Sequence, residues 1–462
     1  MSQYQHPGTI AVTDGRTTSV SDGRQWKNRQ PYERASLVLA GCRTLGIAQL
    51  WLTRAALEAV PDLGGWLAEA RDDGWDCQPT PRGPGWWHCF QRGGVWGSVD
   101  LVVPCLDRGY HAGGRDLAWA AAQSAEDLLA GLLAYETLTG ARFRRSPGAT
   151  GTALLTALHA RKHSTPLAHH GDFPPPAERR SRERILDNAL NWIANDATIA
   201  DRRPWLNTYD INGQYLAACA SLKLATGDYC FWERSQCDPF AWVGELPAGY
   251  WHVELQGQPA ALWPSTPPFL DGDQGWVTTP VMDLLRETMT PVVVSGAWLA
   301  SEHQQPFQPW YKALRDARGA LMATPDAQGH QLALAAVKMT YSQAVGWLGG
   351  NFHDETDLLY RPDWRHTIMS QARANALRKC IKARQTEPNA PVCFAWATDC
   401  GYFASAAPDA EDSRPAGFTP GTGLGHVKVK SYPMAAIIGR MSDWSLGQLQ
   451  RACAAYDADR GR

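Results

Sequence analysis

Two apolar segments that each run into a carboxylate constrain this chain more than any other feature. Trp205-Leu-Asn-Thr-Tyr209 leads into Asp210, and Val392-Cys-Phe-Ala-Trp396 leads through Ala397 and Thr398 into Asp399. Short apolar and aromatic runs that stop at an acid predict buried strands. A sheet that sets these two strands side by side brings both carboxylates to one edge. A lone Asp at a strand end is commonly a turn former. Two such acids flanking a cationic helix form a much narrower pattern. Phosphoryl transfer needs that pattern, because its catalysis is positioning and charge stabilisation by metal ions held between carboxylates.

The segment between the acids supplies the cation. Apolar residues from Leu332 to Val337 predict a helix that begins near Gln331, and Lys338, Ser342 and Val345 stand at i, i+4 and i+7 on it. The spacing predicts that all three share one face, with Tyr341 beside them. Alone, the segment reads as an amphipathic helix with one solvated Lys. Its place between the acids assigns Lys338 to triphosphate oxygens.

These segments resemble, in order and separation, the three polymerase motifs of family B DNA polymerases. Asp210-Ile-Asn-Gly-Gln-Tyr-Leu216 resembles the first motif, DxxSLYP, and keeps its Asp and Tyr. The resemblance makes Asp210 a metal ligand and Tyr215 the steric gate under the sugar. Lys338 to Gly346 resembles KxxxNSxYG without a gap, with Ser342, Gln343 and Val345 in place of Asn, Ser and Tyr. Ala397-Thr398-Asp399-Cys400 resembles DTDS; Asp399 matches the acid that the family uses most directly for both metals, and Ala397 replaces the other. Gly275 to Arg286 with Val292 to Val294 is similar to a palm segment of protein-primed phage polymerases. Phe307 to Arg318 resembles the first fingers helix, where Lys312, Arg315 and Arg318 recur at helical spacing and are implied in nucleotide binding with Ser342. Arg361 to Arg365 and the helix His366 to Arg384 resemble the palm helix before the third motif, and Gly423 to Lys430 the segment near the primer terminus. The likeness spans about residues 200 to 430. It is nearest to the protein-primed branch and to polymerase-like, telomere-associated proteins of actinobacterial linear replicons.

An α+β architecture follows from the resemblance: an RNase H-like domain of the exonuclease type, then a palm with inserted fingers helices and a reduced thumb. Residues 1–35, polar and rich in Gly, Thr and Ser, read as a flexible tail, and 36–165 as the exonuclease-like domain. That domain shows apolar runs at Ser36–Ala40, Ile47–Leu52 and Val99–Val103 and a helix from Ser124, closed by Gly140. It lacks a paired acid of the DxE type; Asp100 and Asp107 flank a strand without that partner, so no nuclease activity is expected. Residues 166–199, His- and Pro-rich and then Arg-rich, read as a linker, and 200–462 as palm, fingers and reduced thumb with a last helix from Ser445.

A formal net charge of −2 gives no global attraction to nucleic acid, so affinity has to come from local clusters. Arg142, Arg144 and Arg145, then Arg179, Arg180, Arg182 and Arg184, then Arg373, Arg378, Lys379, Lys382 and Arg384, and finally Lys428 and Lys430 form them. Charge runs are usually solvated faces. Arg373, Arg378, Lys382, Lys428 and Lys430 are the expected DNA-binding set. Eleven Cys without CxxC or zinc spacing suit free thiols. No run of about eighteen apolar residues and no apolar N-terminal stretch is present, so a cytoplasmic protein without membrane contact is expected.

Two functions fit these residues. One is a DNA-directed DNA polymerase using Mg²⁺ or Mn²⁺ held by Asp210 and Asp399, with DNA, deoxynucleoside triphosphates and a terminal protein primer or another replication protein as partners. The other is a catalytically weak or inactive polymerase-fold protein that binds telomeric or single-stranded DNA and recruits a terminal protein. The two acids and Lys338 favour the first; Ala397, Val345 and the short thumb favour the second.

Overall fold

The computed structural model of the chain describes residues 9–27, 34–60, 62–79, 85–92, 98–104, 118–122, 124–144, 146–161, 167, 172–178, 183–194, 199, 202–256, 268–349, 359–384 and 391–460. Its first strands, β1 (Thr9–Thr13), β2 (Thr17–Val20) and β3 (Gln25–Lys27), form an antiparallel meander. Residues 9–27 are therefore part of the folded sheet, which corrects the expectation of a flexible tail. The Asp14-Gly15 turn explains the difference. Asp14 Oδ1 accepts from the N–H groups of Arg16 at 2.8 Å and Thr17 at 2.7 Å, and Gly15 takes φ +88°. Thr residues that look like loop composition are β-branched and pack well in strands.

The chain continues through α1 (Ala35–Thr44), β4 (Ile47–Leu52), α2 (Arg54–Glu58), α3 (Leu63–Asp72), β5 (Trp75–Pro79), β6 (Trp86–Gln91), β7 (Val99–Val102), α4 (Ala125–Thr139) and α5 (Pro147–Ala160). The seven strands lie in the order β3-β2-β1-β4-β7-β6-β5, with β4 parallel to both β1 and β7 and the other pairs antiparallel. One face carries Leu50, Leu52, Leu101, Trp75 and Cys77 in a core shared with Leu39 of α1 and Leu67 of α3. From the other face, Trp51 and Trp86 meet Trp119, Phe143 and Tyr135 in a chain of edge-on aromatic contacts. The helix expected from Ser124 is α4: Ser124 Oγ accepts from the Asp127 N–H at 3.1 Å, and Gly140 closes it at φ +73°.

The remaining elements are β8 (Asn191–Ile193), β9 (Trp205–Ile211), α6 (Gln214–Ala218), β10 (Leu224–Ala225), β11 (Tyr229–Glu233), β12 (Gly249–Leu255), β13 (Gln274–Thr278), α7 (Thr279–Glu287), β14 (Val292–Ala300), β15 (His303–Gln304), α8 (Gln308–Ala323), α9 (His330–Trp347), α10 (Pro362–Arg384), β16 (Val392–Ala397), β17 (Cys400–Ser405), β18 (Val427–Pro433), α11 (Met434–Ile438) and α12 (Leu446–Arg460). They give an antiparallel five-stranded sheet, β18-β9-β17-β16-β8, and a four-stranded sheet, β11-β14-β12-β13. The chain divides into two compact units: Met1–Ala157 with Lys312–Trp347, and Leu158–Tyr311 with Leu348–Arg462.

In the second unit, one face of the five-stranded sheet contributes Tyr209, Ile211, Trp396 and Phe403 to a core with Leu284 and Leu285 of α7 and Ala374, Leu377 and Cys380 of α10. Residues 183–194, expected within the linker, belong to this fold. Leu186 and Leu190 are buried in its core, and Asp187 Oδ2 accepts from the Thr278 N–H at 2.8 Å and hydroxyl at 3.1 Å. The start of α10 is fixed by a buried ion pair. Arg361 meets Asp363 through Nε at 3.0 Å and Nη2 at 2.7 Å, while Tyr229 donates its hydroxyl to the same carboxylate at 2.9 Å. Such two-point pairing suits a desolvated Arg and carboxylate.

The β1–β2 turn supplies a stability test. Gly15→Ala places a side chain at φ +88°, with its Cβ 3.4 Å from Ala56 Cα and Ala59 Cβ. Urea unfolding of the first unit should show a loss of about 1 kcal/mol. An unchanged curve would mean that residues 9–27 stand outside the cooperative core.

Candidate functional site

Antiparallel pairing brings Asp210 on β9 next to the turn before β17 that carries Asp399. Asp210 near the end of β9 is directly opposite Cys400 at the start of β17, and the Ile211 N–H donates to the Asp399 carbonyl at 2.8 Å. Residues directly opposite in antiparallel strands project to the same face. A row therefore crosses the sheet in the order Lys428, Asp210, Cys400, Ala397 and Asn191. Lys428 Nζ stands 3.8 Å from Asp210 Oδ2, and both side chains are open to solvent at 65% and 44%. Burial, reinforced by the charges of Asp210 and Asp399, pushes the Cys400 thiol well up, so it stays protonated between them.

Asp399 itself occupies a two-residue hairpin turn between Ala397 and Cys400. Its partner in the turn, Thr398, has φ +54°, an unfavourable conformation for a β-branched residue. Three contacts hold it there: its N–H donates to the Leu190 carbonyl at 2.8 Å, its carbonyl accepts the Trp396 indole N–H at 3.1 Å, and its hydroxyl meets Asn191 Oδ1 at 3.4 Å. The segment after Asp210 is fixed as firmly. Asn212 donates its N–H to His426 at 2.8 Å, accepts from Gly425 at 2.9 Å and donates its side chain to Gly421 at 2.8 Å. Gly213 then takes φ +58° and starts α6, which carries Tyr215.

Tyr215 is half-buried. Burial raises its phenol pKa, the Asp399 charge adds to the rise and Arg365 opposes it. Arg365, in the first turn of α10, has no role implied by its sequence context. Burial lowers its guanidinium pKa, and the charges it feels are those of Tyr215 and Tyr250. Its signal was available as an Arg one helical turn after the Arg361–Asp363 pair. The structure thus gathers Asp210, Asp399, Tyr215, Arg365 and Lys428 within the second unit.

Lys338, Ser342, Lys312, Arg315 and Arg318 belong to the first unit. On α9, Lys338, Ser342 and Gly346 are exposed, whereas Val345 is buried. Val345 therefore does not share the Lys338 face; the exposed stripe passes through Gly346 instead, because Val345 lies at the edge of the arc and is apolar. On α8, Lys312 and Arg315 are exposed and Arg315 pairs with Asp316 at 2.7 Å. Arg318 is buried, and its Nε has no hydrogen-bond partner among the described residues.

The basic helix α10 requires a correction. Arg373, expected to face DNA, has a fully buried side chain. Its guanidinium donates to the carbonyls of Phe269 at 2.9 Å, Asn188 at 3.1 Å and Pro268 at 3.1 Å, and to Asp271 at 2.8 Å. It is a structural clasp. Arg378 is bound at both ends of the Glu287 carboxylate, and Lys430 pairs with Asp457 at 2.5 Å, while Lys382 is exposed. Arg145, Arg179, Arg180, Arg182 and Asp107 lie outside the described residues, as does the Arg384 side chain. Arg142 is paired with Glu136 at 3.2 Å, and Asp100 with His88 Nδ1 at 2.8 Å. Among the described residues no group of three His, Cys, Asp or Glu side chains is placed to hold a metal, and no helix is long and apolar enough to cross a membrane.

No family model and no curated protein matches the sequence. Solved structures match in fold. Phi29 DNA polymerase complexed with primer-template DNA, a post-translocation binary complex, aligns at a TM-score of 0.53 and 11% identity over 92% of this chain and 85% of that one. Phi29 DNA polymerase with primer-template DNA and incoming nucleotide substrates aligns at 0.52 and 10% over 93% and 85%. The likeness shows a polymerase-like α+β fold.

The two readings of α10 separate by stability. Arg373→Ala removes the donor to three carbonyls and leaves a cavity at a fully buried side chain, and should cost about 3 kcal/mol in urea unfolding. Lys382→Ala should stay within about 0.5 kcal/mol of the parent. Equal effects would contradict the assignment of Arg373 as a clasp.

Proposed function

We propose that the chain is a DNA-directed DNA polymerase of the family B type, adding deoxynucleotides by two-metal phosphoryl transfer. The observation that carries this reading is the register of β9 against β17, which sets Asp210, with Lys428 beside it, next to the turn that carries Asp399. Two carboxylates are hard oxygen donors suited to Mg²⁺ or Mn²⁺, and Mg²⁺ is commonly held by one or two carboxylates with substrate phosphates completing its shell. The Lys428 ammonium, 3.8 Å from Asp210, is a positive charge already accommodated at that carboxylate. The donor set therefore fits. When bound, the ions activate the attacking hydroxyl and take up charge on the leaving pyrophosphate.

The chain's own residues have separate tasks in this reading. A primer 3′-hydroxyl, or the hydroxyl of a terminal protein at the end of linear DNA, gives its proton to water and bonds to the α-phosphorus, and the bond from that phosphorus to pyrophosphate breaks. Asp210 and Asp399 fix where charge can be compensated. Lys338, Ser342, Lys312 and Arg315 bind and orient the triphosphate; Arg318, expected among them, is buried and does not reach that surface. Tyr215 excludes a ribose hydroxyl, in the field of Arg365. Lys382 and Lys428, and Arg378 and Lys430 after exchanging their carboxylate partners, bind the DNA backbone. The N-terminal domain is RNase H-like without nuclease chemistry: Asp100 is committed to His88. The protein works in the cytoplasm.

One observation favours a second reading, a weak or inactive polymerase-fold protein that binds telomeric or single-stranded DNA and recruits a terminal protein. Ala397, in the row with Asp210, is buried in a core with Leu449 and Cys453 of α12, so no third acid is available there.

Primer extension separates the readings. Asp399→Asn should lower incorporation on the order of a thousandfold, about 4 kcal/mol of transition-state stabilisation, with DNA affinity retained. Activity should be higher with Mn²⁺ than with Mg²⁺, since Ala397 leaves Asp210 and Asp399 without an acid at that position. No incorporation by the parent with either ion and either primer type would leave the recruitment reading standing.

A further inference from the structure

The Lys338 helix is built into the first unit through contacts that leave no room for independent movement. Gly131 of α4 sits where an added Cβ would come within 3.1 Å of Leu332 and 3.2 Å of Trp119. At Gly151 of α5 the same atom would meet Ala344 at 2.5 Å and the Thr340 carbonyl at 3.1 Å, and at Gly148 the Trp347 ring at 2.8 Å. Gly329, at φ +76° just before α9, touches the Gly131 backbone so closely that no side chain fits. Between these points lies a buried hydrogen bond. Tyr135 and Thr340 are each fully buried with their hydroxyls 2.9 Å apart. Thr340 already donates to the Ala336 carbonyl at 2.8 Å, so Tyr135 is the donor. Gln328 Nε2 donates to Asp127 at the start of α4 at 3.1 Å.

Where α9 comes closest to α5 its side chains are small, Thr340 and Ala344, within a buried face that also carries Leu334, Val337, Tyr341 and Val345, and Lys338 stands on the opposite, exposed side. Peeling α9 from α4 and α5 would strand the Tyr135 hydroxyl and open voids along a backbone-to-backbone contact, which close-packed interiors resist. We propose that Tyr135, Gly131 and Gly151 are positioning residues for nucleotide binding: the N-terminal α/β domain is the mount of the Lys338 helix, and α9 moves only with α4 and α5. The inference rests on the assignment of Lys338 to the triphosphate. It gives the nuclease-less domain a task in the polymerase reaction.

Two variants test it, Gly151→Val, which wedges the contact, and Tyr135→Phe, which keeps the ring and removes the donor. Hydrogen exchange of the full-length parent should show residues 330–347 opening together with 125–139 as one cooperative unit. Gly151→Val should speed exchange in both segments. In primer extension it should raise KM for deoxynucleoside triphosphate about tenfold with kcat within about twofold, and Tyr135→Phe should do so to a smaller extent. In a Lys338→Ala background Gly151→Val should add nothing to KM, whereas Gly15→Ala, a destabilising change elsewhere in the unit, should leave KM alone. Parent exchange in which 330–347 opens apart from 125–139, or a wedge that alters neither exchange nor KM, overturns the proposal. If the parent incorporates no nucleotide, concerted exchange retains the mount, while the nucleotide role of Lys338 falls and the positioning claim with it.

Discussion

One pairing register governs the candidate site. Asp210 and Asp399 are far apart in sequence, and the alignment of Asp210 with Cys400 makes them neighbours. Side chains alternate between faces along a strand, so a slip of one residue would turn Asp210 into the core that Tyr209 and Ile211 fill. Burying those aromatic and aliphatic side chains against α7 and α10 is thus what holds the carboxylate on the open face. Lys428 arrives by the same rule, since β18 adds to β9 with Lys428 opposite Asp210.

Strain is concentrated where the acid must be presented. Thr398 adopts a conformation that costs a β-branched residue on the order of 1–3 kcal/mol, and its three hydrogen-bonded contacts keep the turn from relaxing. The same face becomes closed further along the strands. Leu206, Tyr402, Ala404 and Tyr432 pack under α11 and α12, and Asp457 of α12 accepts from both Lys430 and Tyr432. Ala397 belongs to that closed region. Its methyl packs in one cluster with Cys453, where a carboxylate would be desolvated.

Much of this was legible in the sequence because burial leaves a pattern. The apolar runs before Asp210 and Asp399 are β9 and β16, and the helix expected near Gln331 is α9, starting at His330. Features set by tertiary partners were hidden. Arg373 reads as one more cation on a basic helix, yet its depth is decided by carbonyls from residues 188 and 268–269. Residues 9–27 read as a polar tail because Thr and Ser suggest loops, although Asp14-Gly15 between β-branched residues was a hairpin signal. Val345 was misplaced by a spacing argument that ignores which edge of a helical arc an apolar residue favours. The fusion of α9 to the N-terminal unit left only scattered glycines as a trace.

The central claim is that the paired ends of β9 and β17 make a divalent-metal site. Mn²⁺ binding followed by electron paramagnetic resonance, on the parent and on Asp210→Asn and Asp399→Asn separately, addresses it without requiring turnover. The account predicts saturable Mn²⁺ binding by the parent that either substitution weakens at least tenfold, about 1.4 kcal/mol, with Mg²⁺ competing. Parent and variants binding Mn²⁺ alike, or not at all in the presence of DNA and nucleotide, would contradict it.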